Sequence, residues 1–185
     1  IQADLSAQDG HLAILERVSE LDAIILNSGD SFFGLLTDMS DEEARRMITL
    51  HVTAPFLLAK GLVGKLINKR AGNIVAVTSI WGEIGASCEV LYSMVKGGQK
   101  TFVKAVAKEL APSGIGVNAV SPGAISTPML RSFNEDDLHD LAEEIPMGRL
   151  GRPDEIAGVI SFLLSEDAAY MTGQILSVNG GWSTA

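Results

Sequence analysis

With 185 residues, 46% of them hydrophobic and 20% charged, the chain is long enough for one domain with a substantial core and too apolar to be disordered. A formal net charge of −9 argues against nucleic acid or anionic membrane as general partners, and no apolar run approaches the roughly 18 residues of a membrane span. Cys88 is the only cysteine, which rules out an intrachain disulfide, and no signal-peptide pattern opens the sequence, so a reducing cytoplasm is the expected setting.

Ile1 to Leu5 reads as the tail of a strand, and Ser6 to Asp9 as the start of a helix carried to about Glu20 by Leu12, Leu15 and Val18. Ala23 to Leu26 is a short apolar run closed by Asn27-Ser28-Gly29, a strand and a tight turn. Ser40-Asp41-Glu42-Glu43 is a capping-box pattern that opens a long helix to about Lys69, with Pro55 marking a kink or irregularity inside it. Ile74 to Thr78 is a β-branched run typical of a strand buried on both faces. A glycine-containing loop, a helix to about Leu110 and a strand from Gly116 to Ser121 follow, the last closed by Pro122-Gly123. Residues 126–150 are mixed and predict short helices. Pro153 to Leu164 predicts a helix, and Gln174 to Val178 a last strand closed by Gly180-Gly181. Strands alternating with helices predict one α/β domain, a parallel sheet covered on both faces, with ligands taken at the carboxyl ends of its strands.

One stretch carries chemistry. Ser79 stands at the end of the 74–78 strand, and thirteen positions later Tyr92 and Lys96 fall four apart on a predicted helix, one turn from each other on the same face. A free phenol, with a pKa of about 10, is a poor acid or base near neutrality; an ammonium one turn away is expected to pull it down. Ser79 would then hold a substrate oxygen while Tyr92 passes it a proton. The spacing alone also fits an ordinary amphipathic helix.

Ser79, Tyr92 and Lys96, the Lys-Gly-Gly after them, and Gly-Ile-Gly-Val-Asn before Ser121-Pro122-Gly123 together resemble the short-chain dehydrogenase/reductase family. Pro146-Met147-Gly148-Arg149 through Gly180-Gly181 extends the resemblance to the end of the chain, and the 3-oxoacyl-carrier-protein reductases look most similar. The resemblance implies a Rossmann-like, doubly wound, three-layer α/β/α fold. It also implies hydride transfer between NADP or NAD, with NADP favoured, and a carbonyl such as that of a 3-oxoacyl thioester. Ser79, Tyr92 and Lys96 would be catalytic, with Tyr92 and Lys96 also touching the cofactor. Asn27-Ser28-Gly29 stands where the family has Asn-Asn-Ala-Gly beside the cofactor, with Leu26 in place of the first Asn; a plain turn also fits. Asp4 and Leu5 are similar to the pair that contacts adenine, although Asp4 equally suits a helix cap. Pro122, Gly123, Ile125 and Thr127 would hold the nicotinamide end. Trp81, Glu83, Ser87, Met129, Leu130 and Phe133 would line the substrate pocket. The long helices 41–69 and 92–110 would pair subunits into a homotetramer or homodimer.

Three departures stand against this pattern. The family's opening strand and Gly-rich phosphate turn are not found, so the chain reads as truncated by two β-α units of roughly 30 residues each, with poor dinucleotide binding and little activity expected of it alone. The residue that separates NAD from NADP would go with them. His51 stands where the family has an Asn whose backbone carbonyl holds a water on the proton path; His51 is a candidate proton relay, or a polar side chain filling a polar gap. Of two basic positions near the cleft that would dock an acyl carrier protein, Arg70 matches one and Ser113 occupies the other, which predicts weak docking. Two alternatives share these residues: a dehydrogenase of a sugar, steroid or other small alcohol, and a nucleotide-binding homologue with impaired catalysis.

Overall fold

A computed structural model describes residues 1–131 and 133–184. Four strands, β1 (Ala23–Leu26), β2 (Gly72–Val77), β3 (Ile115–Pro122) and β4 (Ile175–Val178), form one parallel sheet in the order β1-β2-β3-β4. The register sets Ile74 of β2 between Ile24 of β1 and Val117 of β3. Alternate residues of β2 supply the two cores. Ile74 and Ala76 pack under Leu58, Leu62 and Leu66 of α3 (Ala54–Lys69) and Val103, Ala107 and Leu110 of α5 (Val90–Leu110). Val75 faces the other way, to Ile156 and Leu163 of α7 (Pro153–Leu163). With both faces of β2 and β3 buried, these strands read as continuous apolar runs, and the result is a Rossmann-like layered α/β fold.

The amino-terminal segment departs from expectation. Residues 1–5 form no strand, and the helix expected to Glu20 shrinks to α1 (Leu12–Leu15). The Asp4 carboxylate accepts from both Ser6 N and Ser6 Oγ, at 2.9 and 2.6 Å, which closes an Asx turn where a helix would have to begin.

The long helix begins as its sequence dictates. Ser40 Oγ accepts from Glu43 N at 3.2 Å, and Glu43 returns to Ser40 N at 2.9 Å, capping α2 (Asp41–Ile48) from both sides. Between α2 and α3, residues Thr49–Thr53 form a π-helical turn in which Ala54 N reaches back to Thr49 O. Pro55 is its cause: without an N–H, it leaves the carbonyl four residues earlier, that of His51, with no helical partner. The helical stretch Asp41–Lys69 contains an 18-residue window of mean hydropathy 1.4, long and apolar enough by composition to cross a membrane, although no uninterrupted apolar run in the sequence approaches that length. Its apolar stripe instead covers the sheet. A short helix, α4 (Trp81–Ile84), occupies the start of the expected loop after Ser79. Within residues 126–150 lie a 3₁₀ turn, Pro128–Leu130, and α6 (Glu135–Glu143).

Candidate active site

The carboxyl end of β2 is held to β3 by Thr78 N to Val120 O at 2.8 Å and Ile80 N to Pro122 O at 2.9 Å, which fixes Ser79 between them. Trp81 N donates to Ser79 Oγ at 3.2 Å. Helix α5 runs beside this strand end, and Gly82 lets α4 approach it: a Cβ on Gly82 would lie 2.6 Å from the Lys96 carbonyl carbon. Ser79, Tyr92 and Lys96 are all buried. Lys96 Nζ donates to Val77 O at 2.9 Å and sits 5.4 Å from the centre of the Tyr92 ring.

The electrostatics correct one expectation. Burial pushes the Tyr92 phenol up to about 12, the neighbouring Ser79 hydroxyl pulls it down, and Glu89 raises it further; Lys96 does not bring it toward neutrality. The ammonium lies over the ring and spends a proton on the Val77 carbonyl, while desolvation dominates the phenol. Burial also lowers Lys96, to about 8.

His51 stands edge-on to Tyr92, ring centres 5.6 Å apart. Its Nε2 lies 2.8 Å from Asp30 O and 3.2 Å from Asp30 N, donating to the carbonyl in one tautomer and accepting from the amide in the other, and the buried Nδ1 has no partner among the described residues. Burial, then the Lys96 charge, lowers its pKa to about 4, so the ring is neutral. A Cβ on Gly29 would lie 2.9 Å from His51 Cε1 and 3.7 Å from both His51 Nδ1 and Lys96 Nζ, so the glycine is what lets imidazole and lysine be neighbours. The His51 carbonyl orphaned by Pro55 accepts from Gln99 Nε2 at 2.7 Å, so one of its two lone pairs is already taken. Gln99 was not foreseen. Its signals were its place one turn beyond Lys96 on α5 and the proline four residues after His51.

Of the cofactor candidates, Asp4, Leu5, Ser28 and Gly29 line one cavity of about 420 Å³, together with Leu50. The Asp4 carboxylate is already engaged by Ser6, as a cap would be. Asn27 stands with them in the loop after β1, which forms no hydrogen-bonded turn there, while Pro122, Gly123, Ile125 and Thr127 lie at the end of β3 and just beyond it. Ile125 pairs with Gly151. The cavity is an open concavity beside the end of β1, with Asp4, Ser28 and Gly29 exposed on it.

The substrate candidates divide. Trp81 stacks edge-on with Trp182, ring centres 4.9 Å apart, and Phe133 meets Phe33 at 5.8 Å. Trp182 and Phe33 were both missed. Ser87 is exposed beside Cys88, and Met129 and Leu130 form the turn after Thr127. Glu83 is not free to line a pocket, because it is paired with Lys100, whose Nζ also donates to the buried Ser121 Oγ at 2.9 Å. Arg70 and Ser113 are not near the cleft of their own chain; they precede β2 and β3, at the opposite end of the sheet from Ser79.

A parallel α/β sheet with a buried serine, tyrosine and lysine at its carboxyl edge defines a Rossmann-like oxidoreductase site. Residues 2–183 match the family described as enoyl-(acyl carrier protein) reductase, and the chain belongs to the short-chain dehydrogenases/reductases. It is 57% identical to the uncharacterized oxidoreductase YmfI of Bacillus subtilis over 98% of this chain and 76% of that protein. It is 37% identical to the 3-oxoacyl-[acyl-carrier-protein] reductase FabG of Escherichia coli, over 91% of this chain and 71% of that one. A Beutenbergia cavernae structure superposes with TM-score 0.93 at 27% identity, covering 98% of this chain and 75% of that one. That protein is provisionally named an NAD(P)-dependent gluconate 5-dehydrogenase and carries NADP at low occupancy.

Proposed function

We propose that the protein is a single-domain NAD(P)-dependent reductase that converts the carbonyl of a 3-oxoacyl thioester to an alcohol. One observation carries the reading: Ser79, Tyr92 and Lys96 lie buried together at the end of β2, with Tyr92 held protonated. When bound, the nicotinamide cofactor supplies the hydride. Ser79 and Tyr92 offer hydrogen bonds to an oxygen that gains charge as it is reduced, and a phenol with a pKa near 12 is suited to give that oxygen its proton. A protonated Tyr92 is the form that the reductive direction of this reversible reaction uses. Lys96, fixed by Val77 O, lies beside Tyr92 and would hold the nicotinamide ribose.

His51 would relay the replacement proton inward: the ring takes up a proton on its Nε2 side, beside Asp30 in an exposed loop, and gives one up from Nδ1 on the Lys96 side, so that it ends neutral. Asp4, Leu5, Asn27, Ser28 and Gly29 would hold the adenosine half of the cofactor, and Pro122, Gly123, Ile125 and Thr127 the nicotinamide half. NADP is favoured, because the Beutenbergia cavernae neighbour carries it. The setting is cytoplasmic, and the working form is a homotetramer or homodimer built on the helical stretch 41–69 and on α5, whose outer faces carry Val52 of the π turn and the Phe56–Phe102 pair. Acyl carrier protein is a secondary partner, given the acidic chain and Ser113. A sugar or other small alcohol is the alternative substrate.

The test uses the full-length gene product. Acetoacetyl thioester should drive oxidation of NADPH, NADH or both, and Tyr92→Phe should lower that rate by about 10²-fold or more. Turnover that survives Tyr92→Phe would remove the catalytic assignment. Turnover of a sugar acid but of no thioester would favour the alternative.

A further inference from the structure

The chain contains two tryptophans, and although 101 positions separate Trp81 from Trp182, their rings meet at 4.9 Å. Trp81 is bound to the site, since its backbone N–H donates to Ser79 Oγ. Trp182 comes from the turn after β4, which lies against the end of β3: a Cβ on Gly123 would be 2.9 Å from Asn179 Cα. Both rings are only part-buried, so they leave surface for a ligand. On the other flank, Phe133, from the segment after β3, reaches Phe33 in the loop after β1. The loop bearing Phe33 is itself tied to the one before Tyr92 by Gly34 N to Cys88 O at 2.9 Å.

Two polar side chains on the segments that carry the tryptophans are already committed. Glu83 is taken by Lys100. Asn179 uses its Nδ2 on Ser183 O and its Oδ1 on Gly181 N. A polyhydroxylated substrate would find few free partners there, whereas a hydrocarbon chain would find ring faces and edges.

We infer that Trp182, with Trp81, forms an aromatic wall beside Ser79 that packs against the acyl chain of the substrate, and that Trp182 sets chain-length preference. The inference rests on the thioester reading above. Full-length wild type, Trp182→Ala and Trp182→Phe are compared with acetoacetyl, 3-oxooctanoyl and 3-oxododecanoyl thioesters, with melting curves to check folding. In Trp182→Ala the preference for the longest over the shortest chain, measured as a ratio of kcat/KM, should fall by about tenfold, chiefly through KM, and Trp182→Phe should restore most of it. A loss equal at every chain length, or none, overturns the wall. Tryptophan fluorescence separates this failure from failure of the thioester reading. With cofactor present, a saturated dodecanoyl thioester should quench wild type and leave Trp182→Ala less affected, even if no thioester is reduced. Absence of quenching in wild type also overturns the wall.

Discussion

His51 is neutral because the fold buries it beside a lysine and gives its Nε2 a carbonyl to hold. Its folded pKa of about 4 lies below the ordinary 6.5, so between these values the unfolded chain binds the extra proton and the folded chain does not. Stability is thus complete above pH 6.5 and is lost as pH falls through 4, by an amount on the order of 3 kcal/mol. His51→Asn should flatten that limb: between pH 7 and 4.5 its melting temperature should fall less than that of wild type. Parallel curves would mean that another group titrates. Tyr92 carries the opposite sign, its folded pKa standing above the ordinary 10, so its contribution is present below pH 10 and disappears as pH rises through 12. At this scale the sequence made the partners legible but not their charge states. The spacing of Ser79, Tyr92 and Lys96 follows from helix and strand periods, whereas the direction of the Tyr92 shift depends on burial, which only the packed structure supplies.

The link between α5 and the π turn is the clearest case of one element correcting another. Pro55 removes the N–H that would serve the His51 carbonyl, and Gln99 replaces it from a different helix. Gln99→Leu should therefore cost about 1–3 kcal/mol, because it leaves a buried carbonyl short of a donor. In a Pro55→Ala background the helix regains its own donor, so the same Gln99→Leu change should cost at least about 1 kcal/mol less. Denaturant unfolding of the four proteins gives the coupling directly, and additive effects would show that Gln99 does not stand in for the missing N–H. Pro55 announced the irregularity in the sequence, and the capping box at Ser40 announced where the helix begins. Local rules failed for residues 6–20. There Asp4 captured Ser6 before a helix could start, and Leu15 and Val18 pack against the core that holds α3 and β1 while Leu12 stays exposed.

The layered fold as a whole was readable because β2 and β3, buried on both faces, can form only inside a covered parallel sheet. Contacts between residues distant in sequence, such as Trp81 with Trp182 or Glu83 with Lys100, were not readable, since no local pattern encodes them. The same distinction bears on assembly. Phe56 is 52% exposed on α3 and rests edge-on against Phe102 of α5 at 6.3 Å, with Val52 one turn away and 45% exposed. An apolar ridge shared by the two longest helices is costly to leave in water, and a second subunit presenting the same ridge would cover it by two-fold symmetry. Phe56→Glu places a charge on that ridge. In an isolated chain the half-exposed position should tolerate it with little loss of stability, whereas across a closed interface two such charges would meet each other and apolar surface. Light scattering after size-exclusion chromatography should then find the full-length wild type as a dimer or tetramer and Phe56→Glu at a lower mass, with a melting temperature that rises with protein concentration only in wild type. A monomeric wild type, or a Phe56→Glu variant that keeps its mass, would assign the ridge to something other than self-association.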